Sequence, residues 1–190
     1  MRIIAGTLRG RSIQAPEGSD TRPTIDRVRE ALFSSLYSLL GGFEELHALD
    51  AFAGSGALGL EALSRGVDDV VFYEQNKKAA SVLKRNIAGC GLGPDRAVVM
   101  ARDVFAGSVR IASAPFDLVF LDPPYAYEAT EVLGFVQRLR DEGALAEDAV
   151  IVYEHGLNAR KDMPDVASSC ELDVIATKKY GKTAITLLKA

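Results

Sequence analysis

The sequence predicts an α/β fold: a doubly wound, Rossmann-like, mainly parallel seven-stranded sheet with an antiparallel last strand, plus a small amino-terminal β-hairpin and helix. Three observations carry this. After residue 45, short apolar runs alternate with amphipathic helical stretches, the pattern of a parallel sheet covered on both faces. A glycine-rich turn, Gly54-Ser-Gly56-Ala-Leu-Gly59, joins the first run to the first of those helices. The chain then closes with two β-prone runs around Lys178-Lys-Tyr-Gly181, which read as a hairpin.

At the amino end, Arg2–Ile4 and Arg11–Gln14 flank Gly6-Thr-Leu-Arg-Gly10 and read as the hairpin. A polar link, Ala15–Arg22, follows. Thr24 then precedes Ile25–Phe33 and is expected to cap a helix. Val28, Leu32, Leu36 and Leu39 fall on one face of that helix, whereas Arg27 and Arg29 are expected to face solvent. Residues 1–23 are therefore read as a basic arm and 24–190 as the sheet domain.

Within the sheet domain, Leu46–Phe52 is read as a strand and Gly56–Arg65 as a helix. Asp69–Glu74 and Asn76–Ala88 repeat the pair. Ala97–Ala101 is a strand followed by an irregular link. Phe116–Leu121 is an apolar strand, Tyr127–Glu142 a helix and Asp148–Glu154 a strand. Glu171–Thr177 and Thr183–Leu188 form the closing hairpin.

Composition narrows the function. A chain of 190 residues, 48% apolar and 25% charged, is an ordinary globular domain with a sizeable core. No apolar run reaches the ~20 residues of a membrane helix, and the start lacks a signal-peptide core. Cys90 and Cys170 are expected to be free thiols in a reducing, cytoplasmic setting. His47 and His155 lack metal-ligand spacing, so no metal is expected, and His155 is read as structural. Net charge is −4. Residues 1–29 hold six arginines against Glu17, Asp20 and Asp26, a balance of +3 that leaves −7 for the remainder. A local phosphate-binding patch fits that split, with Arg9, Arg11, Arg22 and Arg27 as its candidates, as does an ordinary solvated surface.

The chemistry concentrates where strands end. Asp122-Pro-Pro-Tyr125 follows the strand Phe116–Leu121, at the sheet edge where ligands bind in open α/β folds. Two prolines fix φ twice and remove two donors. The Asp122 carboxylate and the Pro123 carbonyl remain as acceptors, beside Pro124 and the Tyr125 ring. An acceptor pair next to a flat ring suits an exocyclic amino group on a planar base. The turn Ala53-Gly54-Ser55-Gly56 lets a ligand approach the backbone. Glu74, with Gln75, ends the next strand, where a ribose-binding acid belongs. This string also matches a dinucleotide fingerprint, which keeps a NAD-dependent oxidoreductase open. Asp50 argues for S-adenosylmethionine instead, because a carboxylate there repels a pyrophosphate but suits an ammonium and a sulfonium. Asp103, followed by Val104, is placed either to accept from an adenine amino group or to cap a helix.

Together these motifs resemble class I S-adenosylmethionine-dependent methyltransferases of amino groups. Arg2–Arg11, Thr21-Arg-Pro-Thr-Ile-Asp-Arg-Val-Arg-Glu-Ala-Leu-Phe33 and Tyr180-Gly-Lys-Thr183 are similar to the RsmD family in particular. The resemblance covers nearly the whole chain, and Ile25 departs from the small polar residue common there. It implies a methyltransferase domain over 24–190 that methylates guanine N2 in bacterial 16S rRNA, at the position conventionally numbered 966. It also implies S-adenosyl-L-methionine as cofactor and the small ribosomal subunit as partner. A monomer is expected. Methylation of adenine N6 or of a protein glutamine uses the same acceptor loop, and a non-catalytic RNA-binding module would keep the same fold.

Overall fold

The computed structural model describes residues 1–15, 23–111, 113–124 and 126–190. Arg22 and Tyr125 thus lie outside the described residues. Seven strands form one sheet: β1 His47–Asp50, β2 Asp69–Tyr73, β3 Ala97–Met100, β4 Phe116–Leu121, β5 Leu145–Gly156, β6 Asp173–Tyr180 and β7 Thr183–Lys189. Their spatial order is β3-β2-β1-β4-β5-β7-β6. Strands β1 to β5 pair in parallel, and β7 runs antiparallel between β5 and β6. The strand order reverses between β1 and β4. Such a reversal opens a crevice beyond the carboxyl ends of the strands.

Among the described residues, five helices cover the sheet: α1 Pro23–Leu40, α2 Ala57–Arg65, α3 Lys77–Gly89, α4 Ala129–Asp141 and α5 Met163–Ser169. The first three bury one face, with Phe33, Leu36, Leu60, Leu63 and Leu83 against Ala48, Val70, Phe72 and Phe120. The last two bury the other, with Val132, Leu133, Val136, Leu139 and Ala167 against Leu49, Val71, Val119 and Ile151. Strand residues alternate between these two cores, as the pleat requires. β2 is buried at every position, because helices cover both its faces.

Several expectations change. α1 begins at Pro23, a residue suited to the first helical position, so Thr24 lies inside the first turn and does not cap it. Arg29 does not face solvent but is only 3% exposed. Its guanidinium donates to the Arg2 carbonyl and to Asp26 and pairs with the fully buried Glu61. Leu39 is 40% exposed, and Phe33 takes its place in the core. α5 was not expected at all, and β5 starts three residues early, at Leu145. Asn76 is not in α3 but caps it, accepting from the Lys78 and Ala79 amides.

The amino-terminal segment folds into the body. Arg2 and Ser12 form one isolated antiparallel bridge, and Ile3 and Ile13 are buried in the larger core. Glu61 on α2 accepts from the Ile4 and Ala5 amides at 2.8 and 3.1 Å. Asn86 on α3 accepts from the Gln14 amide and donates to the Gln14 and Ser55 carbonyls. Gly6, with φ of 83°, lies so close to the Ser64 backbone that no side chain fits there.

Candidate active site

The cleft at the strand reversal measures about 390 Å³. Ala51, Phe52 and Gly54 line it from the end of β1, Tyr73 to Gln75 from β2, Arg102 to Val104 from β3, and Asp122 to Pro124 from β4. Four segments far apart in sequence thus converge on one space. Asp122, Pro123, Pro124, Gly54, Glu74, Gln75, Asp103 and Val104 meet there as expected from the sequence. Asp50, Ala53, Ser55 and Gly56 do not line it.

Asp50 sits one layer below. It is 2% exposed, and its Oδ2 accepts the Gly59 amide at 3.0 Å. Gly59 is the third residue of α2, whose preceding residue, Gly56, offers no side-chain cap. Asp50 therefore caps the helix from the neighbouring strand, satisfying a donor that the helix start leaves free. Burial nevertheless pushes its carboxyl up to about 7, the Gly59 hydrogen bond only partly opposes this, and Glu74 adds repulsion. Gly56 has φ of 83°, and a side chain there would strike Leu83. Gly54, at φ of 53°, has open space where a side chain would project, so its backbone faces the cleft bare.

Glu74 is held by two backbone donors. Its Oε2 accepts the Gly54 amide at 2.8 Å and its Oε1 the Asn76 amide at 2.7 Å. A carboxylate has about four lone-pair sites, so acceptor capacity remains for a ligand's hydroxyls. Asp103 accepts the Phe105 amide at 2.9 Å, and no helix follows it, so the cap alternative falls away. Arg102 lies over the Tyr73 ring, 5.6 Å from its centroid. Beside the cleft, Phe52, Phe105 and Tyr127 form an aromatic cluster with centroids 5.3–6.0 Å apart.

Beyond β4, Pro123 is buried, Pro124 is exposed, and the Pro124 carbonyl accepts the Tyr127 amide at 3.1 Å. This turn fixes the exit from the strand. Asp50 pairs in register with Phe120, and Leu121 with Tyr153. Asp50, Asp122 and Glu154 therefore lie near the carboxyl ends of three adjacent strands, Asp122 just past β4 and Glu154 two residues before the end of β5. Crowding by protein raises the Asp122 carboxyl above its ordinary range, and Glu154 and then Asp50 raise it further. The surface Asp122 opens to the cleft tempers that rise. Burial also raises Glu154, opposed by a hydrogen bond from Thr183. Sequence reasoning passed over Glu154. Its signal was the acid near the end of β5 in Tyr153-Glu154-His155.

His155 is structural. Its Nε2 lies 2.8 Å from the Thr186 hydroxyl and its Nδ1 3.0 Å from the Gly156 carbonyl. Of the arginines expected to meet RNA, Arg27 is exposed on the first turns of α1. Arg11 donates to the Gly89 carbonyl at 2.7 Å, and Arg9 lies in the Gly6–Gly10 turn over Ser64.

Comparison with known proteins agrees with this geometry. The family model for conserved hypothetical protein 95 matches residues 1–189. Ribosomal RNA small subunit methyltransferase D of Escherichia coli K12 is 38% identical over 81% of this chain and 74% of its own length. The Haemophilus influenzae protein of the same name is 36% identical over 86% of this chain and 81% of its own. The solved structure of Escherichia coli yhhF superposes with a TM-score of 0.81 at 33% identity, covering 100% of this chain and 97% of that one. Fold, cleft and sequence thus agree: the chain belongs to the ribosomal RNA small subunit methyltransferase D family.

Proposed function

We propose that this protein transfers a methyl group from S-adenosylmethionine to guanine N2 of small-subunit ribosomal RNA, at the position conventionally numbered 966. The observation that carries the reading is the Asp122-Pro123-Pro124 turn, which shares one cleft with Glu74 and Asp103. The donor set fits the cofactor: Glu74 for the ribose hydroxyls, Asp103 for the adenine amine, and the bare Gly54 backbone for close approach. When bound, S-adenosylmethionine supplies an electrophilic methyl on a sulfonium. Asp50 supports this by holding the Gly54–Gly56 turn and α2 in register.

The chain's own residues prepare the amine. The guanine N2 lone pair is delocalised into the ring, which makes it a poor nucleophile. Asp122 and the Pro123 carbonyl accept its two N–H groups and favour a more tetrahedral nitrogen, with the lone pair aimed across the cleft. Positioning of that kind supplies much of the rate. The base leaves its stack to arrive there, and Tyr125 is the candidate to stack on it. Asp122 must be ionised to accept its N–H strongly; as the N–CH3 bond forms the S–CH3 bond breaks, and the extra proton on the nitrogen leaves after transfer. The raised Asp122 carboxyl therefore places the acid limb of the pH–rate profile above the ordinary carboxylate range.

The test is labelled methyl transfer to small subunits lacking the modification, followed by nucleoside analysis. N2-methylguanosine is expected, and Asp122→Ala should cost roughly 10²–10³ in rate. N6-methyladenosine as product, or an Asp122→Ala enzyme at wild-type rate, refutes the proposal.

A further inference from the structure

Arg9 and Arg11 lie at the opposite edge of the sheet from the cleft. Thr7 and Leu8 bond to Ser64, in the last turn of α2. That end of α2 leads to Asp68, whose amide bonds to Leu46 just before β1 begins. Arg11 bonds to Gly89, at the end of α3 that leads back to the start of β3. Arg9 and Arg11 therefore sit where the strands start, whereas Asp122 sits where they finish. A strand of six residues separates these edges by roughly 20 Å.

The finishing edge carries its own cations. β6 and β5 both run antiparallel to β7, so both finish on the Asp122 side. The turn between β6 and β7, Tyr180–Thr183, stands at this edge, since Thr183 pairs with both Tyr180 and Gly156. Lys179 and Lys182 are exposed there. The loop that follows Gly156 adds Arg160 and Lys161, also exposed. Among the described residues none of these four is held in an ion pair. Arg27 belongs to the same edge: α1 starts near Met1, which touches Ser55, and ends near Phe43, which faces Gly66. The carboxylates of Asp50, Asp122 and Glu154, near the carboxyl ends of β1, β4 and β5, would repel a polyanion, so a phosphate chain reaching Asp122 needs cations beside them.

We propose that RNA lies across the finishing edge of β5, β7 and β6, with Lys179, Lys182, Arg160 and Lys161 contacting its phosphates while one base enters at Asp122. This rests on the RNA-methyltransferase reading above. It also gives the Tyr180-Gly181-Lys182-Thr183 motif a role: Gly181, at φ of 61°, turns the chain tightly, and Thr183 pairs across the sheet with Gly156, two residues past Glu154. The turn thereby ties the phosphate-binding surface to the reacting end of the cleft.

The experiment measures binding of the full chain to small-subunit ribosomal RNA lacking the modification, over a series of salt concentrations, with methyl transfer and thermal unfolding alongside. The double variant Lys179→Ala/Lys182→Ala removes two phosphate contacts. Each contributes about 0.7 to the slope of log affinity against log salt for a single strand, so the slope should become shallower by about 1.4. Affinity at 0.1 M salt should fall roughly tenfold to thirtyfold. Arg160→Ala/Lys161→Ala should act in the same direction, and both variants should raise KM more than they lower kcat. The proposal is overturned if both double variants keep the wild-type slope, or if the loss falls on Arg9→Ala instead. A wild-type protein that neither binds nor methylates the RNA overturns the parent reading, which separates the two failures.

Discussion

Asp50→Asn isolates the cost of one buried charge. Asp50 is 2% exposed, and its carboxyl rises from 3.8 to about 7. That difference corresponds to about 4 kcal/mol between the two protonation states. For a carboxyl raised on folding, the native state binds more protons than the unfolded state between the two values. Stability from this group is therefore full below about pH 4, falls as pH rises to about 7, and stays flat above. Asparagine keeps an acceptor for the Gly59 amide and removes the charge, together with its repulsion of Glu74 and Asp122. Urea unfolding of both proteins should show the variant gaining about 2–4 kcal/mol relative to wild type at pH 8, the lower figure allowing for the amide's unmatched donors. At pH 4 that gain should be gone, leaving the variant between equal to wild type and about 2 kcal/mol less stable. Taking the difference between proteins cancels the other titrating groups. Equal differences at both pH values, or an asparagine variant less stable at pH 8, would refute the assignment of Asp50 as a strained buried acid.

Other outcomes follow from specific contacts. Glu61→Ala strands Arg29 in the core and frees the Ile4 and Ala5 amides, so chemical denaturation should show a loss of about 3–5 kcal/mol. Gly59→Ala drives a methyl into the Phe72 ring and against Val70, and should lower stability by about 1–3 kcal/mol in the same assay. Glu74→Ala removes the acceptor of the Gly54 and Asn76 amides as well as the proposed ribose contact. Calorimetry should show S-adenosylmethionine binding weakened about tenfold to a hundredfold, the equivalent of roughly 1.5–3 kcal/mol.

The sheet was legible because its signals are local. Phe116–Leu121 is apolar at every position but Asp117, and its ends match the observed strand. The glycine turn and the acids at strand ends mark the cleft in the sequence itself. What escaped depended on distant partners. Arg29 reads as a solvent residue until Glu61, thirty-two positions later, is seen beside it. The early start of β5 was hidden by Glu147, which is exposed although it lies in the strand. Asp50 read as a ligand contact because its position at the strand end is right, but the helix amide that occupies it cannot be inferred from spacing. The basic character of residues 1–29 was equally plain, yet the edge on which Arg9 and Arg11 lie depends on Ser64 and Gly89.

The way the first fifteen residues dock sets an order on folding. Ile4 and Ala5 wait for Glu61, and Gln14 waits for Asn86, separations of 57, 56 and 72 positions. During synthesis residues 1–15 emerge before α2 and α3, so the Ile4, Ala5 and Gln14 amides have no native acceptor until those helices have left the ribosome. The segment's two buried isoleucines must stay solvated through that interval, because closing such long loops costs entropy before any contact repays it. The amino terminus is therefore expected to join the amino-terminal half of the sheet late, as the piece that seals α2 to α3 after both have packed.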